Sequence, residues 1–187
     1  MSELDKRLQM VYEKIKSKEI ISRKGLGNEI PYYIFDYDPH DELKIRDFVK
    51  LIMKNFSYIG SEINPVEIDL YEVFLEILKE KNIFDVIEEY EKNMGKDKMF
   101  RALESVSKPE NFINIITKQV EGHNLILITG VGKVWPFMRA HIILNNLKNH
   151  IDKTATILFF PGTFSGTSVK LFSIFEDKNY YRGFKIS

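Results

Sequence analysis

Leu125-Ile126-Leu127-Ile128-Thr129-Gly130-Val131-Gly132-Lys133-Val134 decides the reading of this chain. Four apolar residues without a polar break, followed at once by a glycine-containing turn, predict a strand buried on both faces. Such strands belong to the middle of parallel sheets. Ala155 to Phe160 repeats the pattern, apolar except at Thr156, and again a glycine-bearing stretch follows, Pro161-Gly162-Thr163-Phe164-Ser165-Gly166-Thr167-Ser168. Between the two strands, Pro136 to Leu147 reads as a helix. The segment is therefore predicted to be a βαβ unit with its strands side by side.

Working toward the amino terminus, the same logic adds layers. Val66 and Ile68 alternate with Glu67 and Asp69, a strand period. Asp69 and Glu72 then mark a helix start, with Leu70, Val73, Phe74, Ile77 and Leu78 at helical spacing. Ile30 to Phe35 predicts another strand. After it, Asp38 can cap a helix with Pro39 at its first position. That helix carries Ile45, Phe48, Val49, Ile52 and Phe56 on one face. Leu4, Leu8, Val11 and Ile15 form one stripe on a first helix, 3–18, expected as an element that could pack peripherally, and Ser2 with Asp5 resembles a capping box. Arg23 to Asn28 reads as a loop. Residues 82–120 supply charged, peripheral helical pieces, one starting at the capping pattern Ser107-Lys108-Pro109-Glu110. Val169–Ile174 and Tyr180–Ile186 are expected to form a C-terminal hairpin around residues 176–179. The fold class that results is α/β: a mostly parallel central sheet flanked by helices, in a three-layer arrangement of the P-loop or Rossmann kind. No linker divides the 187 residues, so the whole of 1–187 is read as one domain.

Composition narrows function. Lysine plus arginine and aspartate plus glutamate each number 27, and the formal net charge is zero. Proteins built to grip nucleic acid are usually basic, so the balance gives that class no support. Cysteine is absent, which removes disulfides, thiolate catalysis and cysteine-bound zinc. The start of the chain lacks a signal-peptide pattern and no apolar run reaches membrane-spanning length, so a cytoplasmic location is expected, with no membrane partner.

The candidate site lies where strands end. In open α/β sheets, ligands bind beyond the carboxyl ends of parallel strands. The rim residues predicted there are Gly130, Gly132, Lys133, Trp135 and Arg139 from the first turn and its helix, and Pro161, Gly162, Thr163 and Gly166 from the second. The first turn sits where a phosphate loop would, but Leu127 and Val134 occupy positions where the Walker pattern requires glycine and a hydroxyl. A strand-to-helix turn needing glycine for backbone reasons explains it as well. Ser165 and Ser168 lack the flanking glycines of a nucleophile elbow. Asp36, Asp38, His40 and Asp41 could face a divalent cation, although helix capping accounts for them better. His123, His141 and His150 show no metal-ligand spacing. Trp135, Phe137, Tyr180, Tyr181 and Phe184 suit either core packing or an interface. No catalytic residue, metal or cofactor is assigned.

Leu127 to Phe137, Asn145-Asn146-Leu147 and Phe159 to Phe164, together with Ile34-Phe35-Asp36-Tyr37-Asp38-Pro39 and Asn179-Tyr180-Tyr181-Arg182, resemble the BrxB family of bacteriophage-exclusion (BREX) systems, long described only as a domain of unknown function. The likeness runs from about Ile30 to the end. The family pattern often has tyrosine at the position of Phe164 and an acidic residue at that of Ser165. The resemblance implies an accessory subunit of a prokaryotic antiviral system, without established catalytic residues. Its companions there include a large ATPase, a DNA methyltransferase and an alkaline-phosphatase-superfamily protein, the last two being the first partners expected. The functional expectation is a non-catalytic adaptor working through protein contacts. A degenerate nucleotide- or phosphate-binding domain is the first alternative, and a nucleic-acid-binding module the second.

Overall fold

The computed structural model describes residues 1–22, 32–151, 154–177 and 183–186. Its strands are β1 (Tyr32–Tyr37), β2 (Pro65–Asp69), β3 (Leu125–Thr129), β4 (Ala155–Phe164), β5 (Val169–Leu171), β6 (Phe175–Asp177) and β7 (Phe184–Lys185). The helices are α1 (Glu3–Lys16), α2 (Glu19–Ser22), α3 (Glu42–Phe56), α4 (Leu70–Glu80), α5 (Ile87–Met94), α6 (Lys96–Val106), α7 (Pro109–Gln119), α8 (Val131–Val134) and α9 (Ala140–Leu147). Five strands run parallel in the order β2-β3-β4-β1-β7. The two strands that decided the sequence reading are neighbours, Leu125 opposite Ala155 and Ile128 opposite Leu158.

Side-chain alternation sorts the apolar residues into two cores. Ile126, Ile128, Leu158, Phe160 and Ile34 face α4, α7, α8 and α9. Leu125, Leu127, Ile157, Phe159 and Phe35 face α1 and α3. A continuous apolar strand is thus explained: both of its faces are covered by helices. The first helix is built into the second core, with Val11 and Ile15 fully buried. Its start carries the capping box, Ser2 accepting from the Asp5 N–H and Asp5 accepting from the Ser2 N–H.

Several expectations are corrected. β4 does not stop at Phe160 but runs to Phe164, because Pro161 still pairs with Tyr37 and residues 162–164 pair antiparallel with β5. The C-terminal hairpin joins β5 to β6 through residues 172–174, not across 176–179. β7 instead lies parallel to β1 at the far edge of the sheet. Residues 180–182, with Tyr180 and Tyr181, lie outside the described residues, as do 23–28 and Ile30. The helix expected from Pro136 starts only at Ala140. Residues 135–137 are held out of it by aromatic packing in two directions. Trp135 stacks on Phe175 at 4.7 Å, while Phe137 stacks on Phe74 at 4.9 Å. At α7 the cap is Lys108, and the Ser107 hydroxyl turns back to donate to the Leu103 carbonyl.

Candidate functional site

β1, β3 and β4 end on one rim, and the helices that follow β1 and β3 leave toward opposite faces, α3 to one core and α8 to the other. A crevice opens between them. It is a cleft of about 240 Å³ lined by Pro39, Glu42 and Arg46 on one side and Gly130 to Lys133, Pro161 and Phe172 on the other. Parallel sheets place ligand crevices at this kind of position. Four of the nine predicted rim residues, Gly130, Gly132, Lys133 and Pro161, come together here.

Charges in and beside the cleft are matched in pairs. Asp69, the last residue of β2, caps α4 by accepting from the Tyr71 and Glu72 N–H groups. The same carboxylate forms an ion pair with Lys133. Gly130, at φ +75°, turns with its Cα against that carboxylate, leaving no room for a Cβ. An arriving phosphate would therefore meet an anion at the heart of the supposed phosphate loop. α8 is also a single turn of four residues, too short to add up a useful dipole. Across the cleft, Arg46 donates to Glu42 at 2.9 Å. Glu42 also accepts from the buried Tyr37 hydroxyl. Burial first, and the bond to Glu42 second, push the Tyr37 phenol far above its ordinary pKa. Glu42 raises the Arg46 pKa in turn.

The other predicted residues go elsewhere. Trp135 and Arg139 line a separate pocket of about 300 Å³ beside the β5–β6 hairpin, with Met138, Phe160, Leu171, Ile174, Phe175, Glu176 and Asp177. Ile174 is 71% exposed at its lip. His141 and Asp177 pair at 2.7 Å behind it. Gly162 lies inside the β4–β5 ladder, Thr163 is exposed opposite Lys170, and Gly166 sits at the exposed turn. The second stretch is thus the end of β4 and the turn of a hairpin. Gly132 still joins the two segments: a Cβ there would stand 2.7 Å from the Phe172 ring.

Asp36 and Asp38 do not converge on a cation. Asp36 holds Arg7 at 2.7 Å and Lys185 at 3.0 Å, and accepts from the Phe164 N–H at 3.0 Å. Asp38 caps the 3₁₀ turn Pro39–Asp41 and accepts from the His40 N–H. Among the described residues, no cluster of three or more acidic or histidine side chains could hold a metal ion. Sequence reasoning missed Glu42, Arg46 and Phe172 as rim residues. The one available signal was that acidic residues after a strand-end proline lie on the first turn of a helix.

No described helix is long and apolar enough to cross a membrane. A family model for the BREX protein BrxB matches residues 66–186. A BREX protein BrxB of Bacillus cereus (strain H3081.97) is 38% identical over 190 residues, spanning 100% of this chain and 98% of its own. A BREX protein BrxB of Escherichia coli O9:H4 (strain HS) is 25% identical over 185 residues, spanning 98% and 91% respectively. No solved structure matches the chain. The family model and the full-length similarity lead to one conclusion: the chain belongs to the BrxB family of BREX phage-defence systems.

Proposed function

We propose that this chain is a non-catalytic adaptor that joins other BREX components through its strand-end rim. One observation carries the reading. The charged side chains of the cleft neutralise one another, Lys133 with Asp69 and Arg46 with Glu42, while Ile174 and Phe175 stand exposed beside Trp135. Catalysis requires a group poised with an unmet charge or an activated nucleophile. Protein recognition is served by polar groups that are already paired and by exposed apolar anchors such as those of the neighbouring pocket. The partners in this reading are other components of the same defence system, the alkaline-phosphatase-superfamily protein and the methyltransferase first among them. Metal and cofactor have no part in it.

The test uses a tagged full chain expressed with the complete BREX system. Wild type should co-elute with another component and support phage protection. Ile174→Asp with Arg139→Glu should abolish both without lowering the melting temperature of the purified chain. The nucleotide alternative predicts that magnesium and a nucleotide at a hundred times Kd stabilise the chain by about 2.7 kcal/mol. The adaptor reading predicts no shift. Substrate turnover by the purified chain, lost in Lys133→Ala, would overturn it.

A further inference from the structure

We infer that α5 is a second docking face, shaped to lie in an apolar groove rimmed by lysine and arginine on another component of the system. The inference rests on the adaptor reading and adds a surface distinct from the strand-end rim.

α5 buries none of its side chains. By contrast α4, which precedes it, buries Leu70, Val73, Phe74, Ile77 and Leu78. Eight residues are too few for a stable isolated helix in water, where most helical stability comes from packing an apolar face. Within the free chain α5 lies along α6, and only Ile87 and Glu91 are half-buried, Ile87 against the core. An apolar face is nevertheless present and points outward. Val86, Tyr90 and Met94, at i, i+4 and i+8, are 49%, 38% and 46% exposed. Val86 ends the 3₁₀ turn Phe84–Val86 that leads into α5, and Tyr90 and Met94 lie on the helix itself; apolar side chains at this spacing are the anchor pattern of helix-in-groove recognition.

Charge selects the occupant. Residues 85–94 carry the carboxylates Asp85, Glu88, Glu89 and Glu91 against a single lysine, Lys92, already paired with Glu88 at 2.6 Å. An acidic helix is repelled by nucleic-acid phosphates and by anionic lipid surfaces. Two copies joined through this stripe about a two-fold axis would bring like charges together. A second copy could offer Lys96, Lys98 and Arg101 of α6 instead, but that contact is head-to-tail and builds rings or open chains. A partner groove rimmed by basic residues satisfies both the stripe and its carboxylates.

The experiment uses the intact chain co-expressed with the other components of its BREX system, each assayed singly for co-elution. Val86→Ser, Tyr90→Ser and Met94→Ser together should weaken capture of one component at least about tenfold. They should leave the melting temperature of the free chain unchanged, and capture at the Ile174 rim should persist. Wild-type capture should weaken as ionic strength rises past ~0.1 M, where screening reaches about 10 Å. Amide exchange in α5 should be fast in the free chain and slow in the complex. If the wild type captures no component, the adaptor reading itself fails. If it captures one and the triple variant holds it equally well, α5 is not a docking face. Self-association by sedimentation that the triple variant abolishes would also overturn the inference, in favour of a second copy.

Discussion

Arg7 and Asp36 tie the first helix of the chain to the end of β1. The Arg7 Nη2 lies 2.7 Å from Asp36 Oδ1 and 2.8 Å from the backbone carbonyl of the same residue. β7 explains the second bond. It pairs along β1 only as far as Ile34, whose carbonyl takes the Ile186 N–H. The next outward carbonyl on that edge is Asp36, and the guanidinium takes it in place of a strand. Lys185 and the Phe164 N–H complete the shell, so one buried carboxylate joins α1, β1, β4 and β7.

Replacing Asp36 should therefore destabilise the fold more than replacing any one partner. Asp36→Asn leaves two cations without an anion and should cost about 2 to 3 kcal/mol in urea unfolding. Arg7→Met should cost less, and Lys185→Met least, since the lysine side chain is 48% exposed against 22% for the arginine. An equal cost at all three positions would contradict this hub.

Acid stability follows from the same residue. Burial alone would raise the Asp36 pKa, but the Phe164 N–H, Lys185 and Arg7 together outweigh it and leave the carboxyl below its ordinary range. The unfolded chain then takes up that proton more readily than the folded one. Stability from Asp36 is complete above about pH 5 and falls as pH drops through and below the ordinary carboxylate range near ~3.9. The gap between wild type and Asp36→Asn should narrow over that range. A gap of constant size would refute the assignment.

Alkaline behaviour has the opposite origin. Buried Tyr37, donating to Glu42, stays neutral in the fold well above its normal pKa. The unfolded phenol ionises near ~10, so stability from this group is full below that pH and is lost above it. Tyr37→Phe should flatten the alkaline limb of the stability profile. In the wild type, one phenolate absorbance step should appear only together with unfolding.

The glycines should separate by environment. At Gly162, φ is +148° and a Cβ would collide with the Lys170 carbonyl of the paired strand. Gly162→Ala should cost more than ~2 kcal/mol, combining strain with a clash against backbone. Gly166, whose Cβ would meet open space, should tolerate alanine at roughly 1 kcal/mol of strain. Thermal unfolding of the two variants compares them directly.

Some of this architecture was legible before any coordinates. The uninterrupted apolar runs at 125–128 and 155–160 marked central strands, and the structure pairs them. The i, i+3, i+4 stripes of α3 and α4 gave their buried faces residue for residue. Asp69 stood as a cap and acts as one, whereas Asp38 caps only the 3₁₀ turn Pro39–Asp41, and the helix expected from Pro39 begins at Glu42. The candidate site was legible only in part. Its glycine turn was found, yet Arg46 and Glu42 lie some ninety residues away in sequence, and no local pattern connects them to Lys133.

Periodicity and capping are local properties, set by backbone geometry over a few residues, so the sequence alone determined the central strands β3 and β4, the helices α3 and α4, and the faces they bury. Pairing is not local. The run of β4 past Pro161, the return of β7 to the far edge, the bend at Trp135 and the claim of Asp69 on Lys133 each depend on a group that arrives from elsewhere in the chain. Tertiary structure decided those, because competing short-range preferences there differ by less than what one buried contact across the sheet contributes.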